Sequence, residues 1–308
     1  MEGWEHFARR IADQKYRVYI TGSNARMLSS EMAGTLGGRY MVEYVYPYSF
    51  REYLRASGIE PGTHWETSPI RTAVVRLFDA YLRHGGLPEV QAIAPPMRRA
   101  WLNNLYNKIF FGDILMRYAV RNTMALKVML RKMAGSVGQP CSHTRIAGIV
   151  TAAGAKTRAE TVIDYIEYAK DSCLLFEVEN YAAKIAQRTS NKKYYFADNG
   201  ILNLFLLNPN APLLENIVAI ALRARGEEVY YYQDKIEVDF YLWERRTAIQ
   251  VAWSLADPAT RDREVKALVR LATRTGADHL LIITADEEGE IAVGPHTITP
   301  AWRWLLSD

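Results

Sequence analysis

The chain has 308 residues, which is enough for two or three domains. Its residues are 49% hydrophobic and 23% charged, and no apolar run reaches the ~18 residues of a membrane span, so a membrane protein is excluded. The net charge of +4 is too small to establish a nucleic-acid partner by itself. Two cysteines, Cys141 and Cys173, form neither a disulfide framework nor a metal motif, and they favour a cytoplasmic location.

The first 47 residues are expected to form helix, strand, helix and strand. Apolar side chains predict strands at Val18–Ile20 and Met41–Val45, and Thr21–Asn24 is a polar turn after the first strand. Polar groups at the end of a sheet strand are typical of a nucleotide site in an α/β sheet. No G-x-x-x-x-G-K-[ST] phosphate loop occurs in the chain.

Residues 48–121 are expected to form a helical unit. Ser49 and Glu52 have the spacing of a capping box, which predicts a helix start. Longer helices are predicted at Ile70–Arg83 and Met97–Val120, separated by the turn Gly85–Val90.

Residues 122–197 have the pattern of a winged helix-turn-helix. Helices are predicted at about Met124–Ser136 and Thr144–Ala153, and a capping box of Thr157 and Glu160 is expected to open a third. Strands at Cys173–Glu179 and Lys193–Phe196 then form a hairpin, the wing.

Residues 198–308 are expected to form a small α/β domain with a mixed sheet. A helix is predicted at Leu213–Arg225 and another at about Thr260–Thr275. The predicted strands are Glu228–Tyr232, Glu237–Trp243, Thr247–Ala252 and His279–Thr284.

Several short stretches together resemble prokaryotic AAA-type ATP-binding proteins with a C-terminal winged helix and a restriction-endonuclease-like domain. They are Glu2–Glu5, Tyr19–Arg26, Gly38–Tyr40, Tyr46–Phe50, Gly85–Val90, Tyr194–Asp198, Leu214–Val218 and Glu237–Phe240. The resemblance implies an α/β and α+β multidomain fold. Its parts are a partial AAA-type α/β core (1–47), a helical lid (48–121), a winged helix (122–197) and a nuclease-like α/β domain (198–308).

In that family the phosphate loop and the magnesium-binding acidic strand precede the segment that begins here at Glu2. The resemblance therefore implies a truncated chain that does not hydrolyse ATP alone. ATP and Mg²⁺ are cofactors of the intact family, and none is expected for this chain alone. Ser23, Asn24 and Arg39 are the candidate nucleotide-binding residues. The alternatives are a helix cap for Ser23 and Asn24 and a local ion pair for Arg39.

Basic residues of the predicted winged helix are candidates for DNA phosphate contacts. They are Lys156 and Arg158 at the third helix, and Lys184, Arg188, Lys192 and Lys193 on the wing. The alternative is a winged helix that only packs against its neighbours, because Glu160, Asp164 and Glu167 on the same helix would repel DNA.

The predicted nuclease-like domain carries a degenerate site. Glu215 and Asp239 are the candidate catalytic and metal-binding carboxylates, and Gln250 is a candidate catalytic residue in place of an acid. Gln250 is expected to offer a carbonyl oxygen to Mg²⁺, and Glu237 faces the same side of its strand as Asp239. Ala252 stands where a nuclease would carry its lysine, so cleavage is not expected.

The sequence thus favours a nucleic-acid or partner-binding module of an AAA-type protein. DNA, a second copy of the chain or a protein are its candidate partners, and no membrane is expected. Two alternatives stay open, a metal-dependent nuclease and a winged-helix DNA-binding regulator.

Overall fold

The structure is a computed structural model that describes residues 4–22, 40–184, 191–291 and 296–307. Helices and strands both contribute to a mixed α/β fold around a large sheet. The α-helices are α1 Trp4–Asp13, α2 Phe50–Ala56, α3 Ile70–His84, α4 Pro88–Ala92, α5 Pro95–Lys108, α6 Thr123–Ala134, α7 His143–Ala152, α8 Ala159–Asp171, α9 Asn199–Asn203, α10 Asn210–Ala224, α11 Pro258–Thr275 and α12 Ala301–Trp304. A 3₁₀ turn at Trp65–Thr67 and a π-helix at Ile109–Met116 complete the helical elements of these residues.

Nine strands of the described residues form one mixed sheet. They are β1 Cys141–Ser142, β2 Leu175–Asn180, β3 Asn191–Phe196, β4 Tyr230–Gln233, β5 Glu237–Leu242, β6 Thr247–Ala252, β7 His279–Thr284, β8 Gly289–Ile291 and β9 His296–Pro300. Their spatial order is β1-β3-β2-β4-β5-β6-β7-β9-β8. The pairs β2–β4, β6–β7 and β7–β9 are parallel and the other pairs are antiparallel.

The sheet crosses the domain boundary predicted between residues 197 and 198. Glu179 of β2 pairs with Tyr230 of β4, so the wing hairpin and the C-terminal strands share hydrogen bonds. Asn180 strengthens this junction, because its amide donates to the carbonyl of Gln233 at 3.0 Å and accepts from the Gln233 N–H at 3.0 Å. One apolar core runs from Phe50 to Leu306 across the boundary. The junction therefore places wing residues beside the C-terminal domain.

The two strands predicted near the N-terminus are wrong. Helix α1 forms as expected, but Val18–Ile20 and Met41–Val45 belong to no strand of the described residues. A strand needs a neighbour for its backbone N–H and C=O groups. The sheet described above offers none here, and Tyr19 and Val45 are 85% and 97% exposed.

The helical unit agrees well with its sequence signals. The Ser49 capping box is confirmed, since the Ser49 N–H donates to Glu52 Oε2 at 2.8 Å and the Glu52 N–H donates to Ser49 Oγ at 3.3 Å. The long helix predicted at Met97–Val120 begins two residues earlier and is α-helical only as far as Lys108, where the π-helix follows.

Three helices and a hairpin occupy the region predicted as a winged helix. Ser142 caps α7 as expected, because its Oγ accepts from the Arg145 N–H at 3.3 Å. The capping box of Thr157 is wrong. Helix α8 begins after Arg158 without a side-chain cap, and Thr157 instead pairs its backbone with the hydroxyl of Thr151.

Candidate functional site

Four charged side chains from three elements meet beneath the sheet, and we call them the acid–lysine cluster: Lys193, Glu215, Glu237 and Asp239. The ammonium of Lys193 on β3 lies 3.1 Å from Asp239 Oδ1 and 3.1 Å from Glu237 Oε1, both on β5. Its distance to Glu215 Oε1 on α10 is 3.6 Å. The Lys193 side chain is completely buried, at 0% exposure. The cluster therefore contains three carboxylates around one cation.

The register of β3 explains why Lys193 points inward. Lys192 and Lys193 are neighbours on a strand, so their side chains project to opposite faces. Lys192 bonds Glu177 at 2.6 Å and Glu179 at 3.1 Å on the other face. Burial lowers the pKa of Lys193, but the charges of Asp239, Glu215 and Glu237 outweigh it and the net pKa is raised. Lys193 thus stays charged inside the protein.

Glu215 is held tightly at the start of α10. The hydroxyl of Tyr195 donates to Glu215 Oε1 at 2.8 Å. Gly138 lies against the same carboxylate, where a Cβ would come within 2.1 Å of Glu215 Oε2, and its φ of +77° is in the region that favours glycine. Burial, followed by the nearby charge of Asp239, raises the pKa of Glu215 to about 7.

Every polar side-chain atom of Asp239 and Gln250 takes part in a hydrogen bond. Asp239 Oδ1 accepts from Lys193 at 3.1 Å and its Oδ2 accepts from the Val251 N–H at 3.0 Å. Gln250 Oε1 accepts from the Asp239 N–H at 2.9 Å, and its Nε2 donates to Glu264 Oε2 at 2.7 Å. The oxygen of Gln250 that was expected to face Mg²⁺ therefore stabilises the pairing of β5 and β6 instead.

Glu264 was not among the residues predicted from the sequence, although its place among the apolar residues of a helix is a recognisable signal. Helix α11 buries Glu264 on the same face as Ala267, Leu268 and Leu271. A carboxylate therefore occupies a position where the helical spacing would place an apolar residue. Arg263 bonds Glu264 at 2.6 Å, and burial raises the pKa of Glu264.

A cleft of about 590 Å³ opens beside the acid–lysine cluster. Its floor includes Gln250 and four carboxylates, those of Glu215, Glu237, Asp239 and Glu264. Four exposed cations line it, and we call it the cation-lined cleft: Lys235, Arg263, Lys266 and Arg270. Arg263 and Lys266 pair with acids of their own helix, whereas Lys235 and Arg270 have no carboxylate within salt-bridge distance in the described residues.

The carboxylates do not fit a preformed metal site. Among the described residues no three His, Cys, Asp or Glu side chains are arranged to hold a metal ion. The ammonium of Lys193 already lies 3.1–3.6 Å from Asp239, Glu237 and Glu215, so a metal ion held by these carboxylates would stand beside a second positive charge. Alanine at position 252 is 8% exposed and adds no ligand. The cation that lies beside these carboxylates is instead Lys193 of β3.

The cations predicted to contact DNA divide into three groups. Lys156, Arg158 and Lys184 are exposed. Lys192 is engaged with Glu177 and Glu179, and Lys193 is buried. The assignment of Lys193 to the wing surface is therefore wrong, because a buried ammonium cannot reach a phosphate. Arg188 lies outside the described residues, as do Ser23, Asn24 and Arg39.

A buried amide network fixes the acid–lysine cluster to the rest of the fold. Asn216, next to Glu215, accepts from the Phe196 N–H at 2.8 Å and donates to the Phe196 carbonyl at 3.0 Å and to Asn199 at 2.9 Å. Asn199 in turn donates to the carbonyl of Leu82 at 2.9 Å. Asp198 accepts from the Gly86 N–H at 2.9 Å, and a Cβ on Gly85 would come within 2.1 Å of it. The motifs around residues 85, 198 and 215 are thus connected to one another by buried hydrogen bonds.

Replacing Glu215 by Gln is expected to flatten the pH dependence of stability. A carboxyl whose pKa is raised on folding binds more protons in the folded state, so stability falls as pH rises from the unfolded value of 4.5 to about 7. Between pH 5 and pH 8 the wild-type free energy of unfolding should fall by about 2–3 kcal/mol more than that of Glu215→Gln. Urea unfolding at four pH values measures this difference. Equal slopes of unfolding free energy against pH for the two proteins would contradict the raised pKa of Glu215. Burial also raises the pKa of Asp198 to about 6, but Asp198 is present in both proteins and contributes equally to both slopes.

Comparison with known proteins supports part of the resemblance. Residues 1–54 match the family model of an AAA domain, and residues 75–211 match that of a domain of unknown function, DUF8612. No solved structure matches the chain. In the described residues no helix is long and apolar enough to cross a membrane.

Two relatives align with most of the chain. The uncharacterized protein MJ1544 of Methanocaldococcus jannaschii is 28% identical over 322 residues, which cover 100% of this chain and 73% of the relative. An uncharacterized protein of Haemophilus influenzae is 30% identical over 246 residues, which cover 78% of this chain and 60% of the relative. The chain thus spans less than two thirds of the Haemophilus relative. Residues 1–54 are similar to an AAA domain.

Proposed function

We propose that this chain is a nucleic-acid-binding module of an AAA-type protein and that the cation-lined cleft binds the phosphate backbone without cleaving it. The observation that carries the proposal is a pair of exposed cations at one cleft, Lys235 and Arg270, which have no carboxylate within salt-bridge distance among the described residues. Arg263 and Lys266 add two further cations that are paired with acids of their own helix. Clustered cations attract nucleic acid through its phosphates far more effectively than the same charges spread over a surface.

The charge pattern within the cleft favours contacts at its rim. The acid–lysine cluster holds three carboxylates and one ammonium, so the floor repels phosphate. Lys235 lies before β5 and Arg270 on α11, and both side chains are exposed. A backbone that follows these two cations gains attraction and stays clear of the floor.

The hydrogen bonds of the floor favour binding over cleavage. Hydrolysis with a divalent cation needs carboxylates directed at the metal, and the oxygens of Asp239 are directed at the Lys193 ammonium and the Val251 N–H. The exposed Lys156, Arg158 and Lys184 of the predicted winged helix are further candidates for phosphate contacts, as part of the same proposal.

The charge-reversed double variant Lys235→Glu/Arg270→Glu is expected to bind nucleic acid at least about tenfold more weakly at 100 mM KCl, because two phosphate contacts become repulsive. The slope of log affinity against log salt should fall by about 2. Fluorescence anisotropy with labelled 30-nucleotide single-stranded and duplex DNA and RNA measures both quantities.

Arg261→Glu is the matched control, since Arg261 is an exposed cation of the same helix and does not line the cleft. Its affinity should stay within about twofold of wild type because it makes no phosphate contact. Absence of salt-dependent binding by the wild type would contradict the nucleic-acid proposal and favour a protein partner. Cleavage of the same labelled strands with Mg²⁺ or Mn²⁺, abolished by Asp239→Asn, would establish the nuclease alternative instead.

A further inference from the structure

We propose that the ammonium of Lys193 replaces a divalent metal ion in this domain and holds Glu215 and Asp239 together without one. The inference concerns the cluster itself and does not rest on the binding of nucleic acid. It would make the nuclease-like domain a metal-independent scaffold.

Three carboxylates surround the ammonium of Lys193. It donates a hydrogen bond to Asp239 Oδ1 at 3.1 Å and lies within ion-pair distance of Glu237 at 3.1 Å and of Glu215 at 3.6 Å. They come from two elements that are separate in sequence, α10 and β5, as do the carboxylate ligands of a metal site. The ring of Tyr231 lies 5.5 Å from the same nitrogen and adds a cation–π contact.

The charges show why a cation is needed at this place. Without Lys193, the part-buried Asp239 and Glu215, with side chains 17% and 16% exposed, would face each other and Glu237 with no opposite charge. Neighbouring part-buried carboxylates repel each other, so an internal cation, a bound metal or a proton must compensate their charge. The side chain of Lys193 enters from β3, which reaches the cluster because β2 joins the wing hairpin to β4.

The surrounding hydrogen bonds fit an ammonium and oppose a metal beside it. Asp239 directs one oxygen to Lys193 and the other to the Val251 N–H. Gln250 stands where the family resemblance would place an acidic ligand, and its side-chain oxygen accepts a hydrogen bond from the Asp239 N–H. A metal bound beside Lys193 would place a second cation within a few ångströms of a buried ammonium, and the two positive charges would repel each other.

Mn²⁺ binding tests the proposal directly, by electron paramagnetic resonance of free and bound Mn²⁺. The wild type is expected to bind no Mn²⁺ at this site, whereas Lys193→Met, which keeps the length and removes the charge, is expected to bind about one ion. At a concentration of about ten times its Kd, Mn²⁺ should raise the Tm of Lys193→Met by about 3 °C and leave that of the wild type unchanged. Lys192→Met is the matched control, because Lys192 pairs with Glu177 and Glu179 on the opposite face, and it should resemble the wild type.

Each outcome decides the question. One Mn²⁺ bound by the wild type and lost in Asp239→Asn overturns the proposal, and so does a folded Lys193→Met that binds none. If Lys193→Met folds only when Mn²⁺ is present, the proposal is supported. If it folds under neither condition, the double variant Lys193→Met/Glu237→Gln, with one carboxylate fewer to compensate, is measured in its place. Failure of Mn²⁺ to bind or fold that variant overturns the proposal.

Discussion

Lys193→Met is expected to lower the free energy of unfolding by about 3–5 kcal/mol at pH 7, because it leaves buried carboxylates without their counterion. The substitution preserves most of the side-chain volume, so the loss reports charge rather than packing. Chemical denaturation without divalent cations, followed by circular dichroism, measures it. The loss should shrink at pH 5, since the raised pKa of Glu215, about 7, leaves that carboxyl protonated there.

Lys192→Met provides the comparison for this result. Lys192 also bonds two carboxylates, but Glu177 keeps a second cation in Lys170 at 2.9 Å, and Glu179 is 38% exposed. Its replacement should cost about 1 kcal/mol, because water and Lys170 compensate the remaining charges. A Lys193→Met loss no larger than that of Lys192→Met would contradict the role of Lys193 as the buried counterion.

Asn216→Ala is expected to lower the free energy of unfolding by about 3–4 kcal/mol, the second largest effect. The Asn216 side chain is fully buried and makes three hydrogen bonds, two to the backbone of Phe196 and one to Asn199. Its removal leaves a buried N–H and a buried C=O without partners, and each such group costs about 1–3 kcal/mol. Urea unfolding at pH 7 measures the loss.

Asn203→Ala separates this network from an ordinary amide contact. Asn203 makes one hydrogen bond, from its Nδ2 to the Arg83 carbonyl at 2.9 Å, at a part-buried position. About 1 kcal/mol is expected for its loss. If the two variants lost equal stability, the Asn216 network would not be the junction between α10, β3 and α9 that the hydrogen bonds indicate.

Local sequence signals predicted most helices and strands from residue 48 onward. The capping box of Ser49, the cap at Ser142 and the periods of the C-terminal strands act within a few residues, so they can be interpreted without the fold. The strand predictions at Val18–Ile20 and Met41–Val45 failed for the opposite reason. Strand formation depends on a neighbouring strand, and apolar composition alone does not supply one.

In the candidate site, too, some residues could be predicted from local sequence and others could not. Glu215 and Asp239 were identified from the sequence because each stands in a short motif on a predictable element. Lys193 was assigned to the wing surface, since a lysine on a hairpin is usually exposed. The parallel pairing of β2 with β4 turned that hairpin into part of the C-terminal sheet and carried Lys193 into the cluster.

By itself, then, the sequence determined most element types from residue 48 onward, and it singled out Glu215 and Asp239 as candidate site residues and Ala252 as a position without a lysine. Only the tertiary structure decided that Lys193 of β3 lies beside these carboxylates, that Gln250 stabilises strand pairing and that Glu264 lines the cleft. The physical reason is the separation along the chain between the residues that interact. Caps and periods depend on neighbours along the chain, whereas a buried charge is placed by partners up to 46 residues away, as Lys193 is by Asp239.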